Sequence, residues 1–149
     1  LSQTFFSLED DKKHYLIEEI RNHKWFKTTE FWIGIIDLMI DKELDKFEML
    51  HSEVAKEDVL KGSEDISHKM KFKLSELLFS QILPYVNNMK EFNLGLKNMV
   101  YVTEIFVHKY IYLSEEHKEA IYGLMSNDKE LIEKYKKEFE KSIENDLKN

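Results

Sequence analysis

The sequence predicts an all-α fold, a single-domain bundle of about six mostly antiparallel helices over residues 1–149. Three observations carry that prediction. Apolar residues recur at three-and-four-residue steps along most of the chain. Turn formers are scarce, with 4 glycines and 1 proline, whereas an all-β chain needs turn signals at short, regular intervals. Hydrophobic residues make up 42% of the chain and aromatic residues 13%, enough for one sizeable core and too rich for a disordered chain.

The first helix is expected from Ser7 to about His23, with Ser7 and Asp10 at capping-box spacing and Tyr15, Leu16 and Ile20 as its inner stripe. A short link then leads to the second helix, capped by Thr28 or Thr29 and running to about His51. Trp25, Phe26, Phe31, Trp32, Ile33, Ile35, Ile36, Leu38 and Met39 crowd its start, leaving only a narrow wet stripe. Its apolar face narrows through Leu44, Phe47 and Leu50. Ser52 to Gly62 is polar and weakly periodic, and reads as the one long loop.

The third helix is expected from Ser63, with Glu64 and Asp65 near its positive end. Ile66, Met70, Leu74, Leu77, Leu78, Ile82, Tyr85, Met89 and Phe92 recur along it at helical spacing. Pro84 lies inside it and cannot donate to the Ser80 carbonyl, so a kink is expected near Ser80 and Gln81. Asn93 or Gly95 can end it in a left-handed conformation. The stretch Met99–Tyr112 has strand-like valines, isoleucines and tyrosines. A lone strand would have no partner, however, so a fourth helix is expected there. Ser114 caps a fifth helix reaching about Met125, with Glu115 and Glu116 in its first turn. Asn127 with Glu130 caps a sixth, striped by Ile132, Tyr135, Phe139, Ile143 and Leu147. The second, third and fourth helices should form the core, and the others cover it.

Composition also narrows function. The net charge of −7 and the single arginine, Arg21, argue against nucleic acid as a partner. The absence of cysteine excludes disulfides and thiolate chemistry. No apolar run is long enough for a transmembrane segment, and the start lacks the pattern of a signal peptide. A cytoplasmic location is the expectation. The chain begins at Leu1 rather than methionine, and is expected to be a domain excised from a longer protein.

No catalytic constellation stands out. Ser75, Ser80 and Ser114 lack a glycine-framed elbow, and the isolated glycines offer no phosphate-cradling loop. No cofactor is expected. Metal is an alternative: Glu48 and His51 form one Glu-x-x-His, and Glu104 with His108 sit four apart, as do Glu19 and His23. The leading expectation is a non-enzymatic protein–protein interaction domain, scaffolding or regulatory, in membrane traffic or cytoskeletal regulation. Its partner would be a helix, a basic peptide, a small GTPase or a second copy forming a homodimer. Trp25 and Phe26, at a helix junction, are the candidate anchor. Glu30, Asp37, Asp41 and Asp45 form an acidic line that can receive basic residues. A helical bundle binding metal or a hydrophobic ligand is the alternative function. An exposed Tyr101, Tyr110 and Tyr112 would make a sticky patch.

Overall fold

The structure is a computed structural model that describes residues 5–9, 12–15, 20–21 and 23–148. It is an all-α bundle with six helices among the described residues. They are α1 (Thr29–Leu50), α2 (Lys56–Lys61), α3 (His68–Glu91), α4 (Leu96–Lys109), α5 (Glu115–Met125) and α6 (Lys129–Lys148). A 3-10 turn, Lys24–Lys27, precedes α1. Helices α3 and α4 form the central pair. Helix α1 packs across both on one side, while α5 lies along α3 and α6 along α4 on the other. The core is therefore built around α1, α3 and α4, through residues such as Ile36, Leu74, Leu78, Val102 and Phe106.

The chain opens differently from expectation. In place of a helix from Ser7, strands β1 (Phe5–Glu9) and β2 (Lys12–Tyr15) pair antiparallel, with Ser7 opposite His14 and Glu9 opposite Lys12. That register leaves two sequence positions between the strands, the commonest hairpin spacing, and aspartate is a turn former. The Ser7–Asp10 spacing fits a helix cap equally well, so the pattern was degenerate. Leu16 and Glu19 lie outside the described residues, whereas Ile20 is half-buried against the core.

The expected long loop also holds a helix. Within Ser52–Gly62, α2 is anchored by the buried Val59, with Glu57 and Asp58 at its positive end and Lys61 at its negative end. Gly62 closes it at φ 68°. The left-handed backbone is what favours glycine there; a Cβ would lie 2.9 Å from Ile111 Cδ1, the tip of an exposed side chain that can move aside. Helix α3 starts at His68 rather than Ser63. Ser63 Oγ accepts the Asp65 amide in a local turn, and Ser67 Oγ makes the cap by accepting from Met70.

Helix α3 continues through Pro84, which is exposed on its outer face. Near the carbonyl that loses its donor, Ser80 Oγ donates to Leu77 O at 2.7 Å. The helix ends in a Schellman motif: Asn93 takes φ 55°, its amide donates to Lys90 O, and the Leu94 amide donates to Met89 O. Buried Leu94 and Met89 close the motif from inside. The strand-like stretch is helical, as tertiary context requires. Ser114 caps α5 through the His117 amide. Asp128, not Asn127, caps α6: its Oδ1 accepts from Leu131, while Ser126 Oγ holds the Asp128 amide.

Of Tyr101, Tyr110 and Tyr112, the last two are buried, and Tyr112 donates to Ser63 O at 2.8 Å. Only Tyr101 is exposed, edge-on to Phe139. Leu78 sits fully buried in the middle of α3. Leu78→Ala should destabilise the fold by about 3 kcal/mol through lost burial and a residual cavity. A loss of unfolding free energy in urea of less than about 1 kcal/mol would show that this layer is not the close-packed centre.

Candidate functional site

The helix junction before α1 separates the two candidate anchor residues. Phe26 turns inward, with its ring 4.4 Å from Phe92 and 4.9 Å from Phe31, and its carbonyl accepts from Trp32 Nε1 at 3.0 Å. Lys27 Nζ donates to Phe92 O at 2.6 Å, which ties the turn to the end of α3. Trp25 turns outward and is 61% exposed. Its backbone is nonetheless fixed: His23 Nδ1 accepts the Trp25 amide, and Thr28 Oγ1 donates to the Trp25 carbonyl. Phe26 is a plug and Trp25 a displayed side chain.

The acids on α1 are mostly occupied within the chain. Asp37 pairs with Lys109 of α4. Asp41 and Asp45 bracket Lys56 of α2, each at 2.6 Å. Those two hydrogen bonds, led by Asp41, push the Lys56 ammonium well above its ordinary value. Glu30 is exposed and has no ion-pair partner among the described residues. The line thus clips α2 and α4 to α1.

The candidate metal ligands do not assemble. His51 packs on Phe47 and lies 3.5 Å from Lys73 Nζ, with Glu48 half-buried beside it on α1. Glu104 and His108 do meet on α4, but no three of His, Asp and Glu gather as a metal-ligating group among the described residues. Glu19 lies outside the described residues, and His23 serves the Trp25 turn.

Two polar clusters went unseen in the sequence. In the first, Ser75 Oγ lies 2.7 Å from His117 Nδ1 and accepts the Ser114 amide at 2.9 Å, while His117 Nε2 lies 3.1 Å from Glu76. Phe79 stacks on the imidazole at 4.3 Å. The residue types are those of a serine nucleophile with its base and acid, yet Ser75 is buried and its hydroxyl is bonded on both sides. In a working triad the serine faces substrate and the acid is shielded; Glu76 here is half in water. The cluster staples the start of α5 to α3.

In the second, Glu104 is 4% exposed on α4 and accepts a hydrogen bond from the Tyr122 hydroxyl of α5. Burial first, then this carboxylate, raise the Tyr122 phenol above its ordinary value, so it stays protonated as a donor. Lys136 of α6 places its ammonium 3.9 Å from the Tyr122 ring centroid. This pair forms the floor of a polar cleft of about 440 Å³ between α5 and α6. Sequence spacing had flagged Glu104, but nothing local announces Tyr122 as its partner.

Compared with protein-family models, with curated proteins and with solved structures, the chain matches none. Among the described residues no helix is long and apolar enough to cross a membrane. Because the phenol is raised in the folded state, its contribution is complete below the unfolded value of 10.0 and is lost as pH climbs toward the folded one. In an alkaline titration followed by phenolate absorbance, Tyr122 should therefore ionise only as the protein unfolds. Tyr122→Phe should remove that step, flatten the alkaline loss of stability and cost about 1–3 kcal/mol at neutral pH. Ionisation of Tyr122 before the protein unfolds would contradict the buried pair.

Proposed function

We propose that this chain is a non-enzymatic helical protein–protein interaction domain that scaffolds or regulates a partner in the cytoplasm, with Trp25 as its anchor. The observation that supports this most is an indole displayed to solvent from a turn whose backbone is pinned on both sides. Tryptophan contributes large contact area at low entropic cost, and a pre-set backbone lowers the cost of binding further. Next to it in sequence, Phe26 packs with Trp32 and Phe92 and anchors the turn. Glu30 is exposed in the first turn of α1, five positions on, with no ion-pair partner among the described residues, so an apolar pocket with a basic rim complements this end of the helix. A helix or peptide of that character fits, as does a small GTPase presenting such a surface. Membrane traffic and cytoskeletal regulation are the settings in which a domain of this kind works.

The polar clusters favour this reading over chemistry. Ser75, His117 and Glu76 are spent on joining two helices, and the α1 acids on holding lysines. Trp25→Ala should leave stability within about 0.5 kcal/mol of wild type while weakening partner binding about tenfold or more. Phe26→Ala should instead lower stability. The check is co-isolation from source cells with wild type, Trp25→Ala and Tyr101→Ala as parallel baits, quantified by mass spectrometry. A protein held by wild type and Tyr101→Ala but lost from Trp25→Ala supports the proposal. Identical sets from all three baits overturn it.

A further inference from the structure

Helix α1 carries an outward row that the packing of the chain does not explain. Glu30, Gly34, Leu38 and Lys42 follow one another at four-residue steps, so they form one ridge, and all four are exposed. Helices α3 and α4 cover the opposite side of α1. On one flank of the ridge, Lys56 and Lys109 engage Asp37, Asp41 and Asp45. On the other flank run Phe31, Ile35 and Met39, apolar and half-buried. A single exposed apolar side chain needs no explanation, so Leu38 alone would mean little.

Gly34 makes the row more than a solvated face. Glycine is the poorest helix former after proline, and here it stands inside a 22-residue helix. A Cβ at Gly34 would meet nothing within 4 Å, so no close approach inside the chain calls for glycine. Its neighbour along the ridge, Leu38, is 53% exposed. A notch therefore lies next to a knob on one face of one helix. Beyond the notch stands Glu30 and beyond the knob stands Lys42. Neither has an ion-pair partner among the described residues.

The order acid, notch, knob, base complements itself when reversed. We infer that α1 packs on α1 of a second copy of this chain, antiparallel about a two-fold axis midway between Gly34 and Leu38. Each Leu38 then fills the space over Gly34 of the second copy, and each Glu30 meets Lys42 of the second copy. Rows with a four-residue step lie alongside one another when two helices cross at about −50°, so these contacts form together. The groove between the ridge and the row Phe31, Ile35 and Met39 receives the opposing ridge. A parallel pair would instead set like charges against each other. One helix crossing is a small interface, so the association belongs to the weak class that buries less than about 1,200 Å². The ridge shares Glu30 with the Trp25 surface but makes no use of the indole, so the two readings fail separately.

Sedimentation equilibrium of the full chain up to about 1 mM tests this. The expected result is a monomer–dimer equilibrium, because a two-fold interface closes on itself. Leu38→Glu and Gly34→Leu should each weaken dimerisation about tenfold or more. Both positions are exposed, and circular dichroism checks that the helices remain. Glu30→Lys and Lys42→Glu should each weaken it as well, by bringing like charges together. Mixed in equal amounts, these two charge variants should pair with each other more tightly than either pairs with itself, since each supplies the sign the other lacks. Trp25→Ala should dimerise as wild type does. A monomer at every concentration, or a dimer untouched by Leu38→Glu and Gly34→Leu, would overturn the inference. So would charge variants that fail to pair when mixed, or loss of the dimer in Trp25→Ala.

Discussion

The bundle depends on a helix that is buried on opposite faces. Helix α4 meets α1 and α3 on one side and α5 and α6 on the other, so Met99, Val100, Val102 and Phe106 are all withdrawn from water. Such a helix keeps only a narrow wet stripe, through Lys97, Tyr101 and His108, and polar groups off that stripe need partners inside the bundle. Thr103 Oγ1 is left without a partner among the described residues, and Glu104 needs a donor from a neighbouring helix. Tyr122 supplies it, and in doing so fixes how α5 sits over α4. That buried hydrogen bond joins α5 to α4 inside the bundle.

Burial on two faces also explains why this segment reads like a strand. Buried strands and fully buried helices share near-continuous apolar runs, and β-branched residues are common to both. The amphipathic segments were easier. The faces of α1, α3 and α5 and the Schellman end of α3 are visible in residue spacing, because each of those signals is local. The failures have a common cause. Ser7 with Asp10 serves a cap or a hairpin arm, and six residues of α2 are too few for periodicity to declare itself. The α6 cap moved from Asn127 to Asp128 because two adjacent residues can each cap, and Ser126 decides between them.

The candidate site was legible only in part. Trp25 and Phe26 could be picked out as a pair, but which one faces water depends on where Phe92 lies, far along the chain. The acidic line on α1 was visible, while the lysines that occupy it, Lys56 and Lys109, come from other helices. The Ser75–His117–Glu76 staple joins α3 to α5 and has no sequence signature. Periodicity reports which side of a helix is dry. It does not report which charges on the wet side are already spoken for, and that distinction separates Asp37, Asp41 and Asp45 from Glu30 on the same helix.

Helix α6 is rooted at one end only. Ile132 and Phe139 are buried, whereas Ile143 is at the surface and Leu147 is 82% exposed. From Phe139 outward the helix is sustained by its own backbone bonds and by side-chain pairs three or four residues apart, each worth only a few tenths of a kcal/mol. Its local opening energy must therefore fall steadily toward the tip, giving amide exchange that grades from protected to free within a single element. Glu140 lies just where that gradient begins. One wall of the α5–α6 cleft is thus compliant, while the other, α5, is held to α3 through Ser75 and His117.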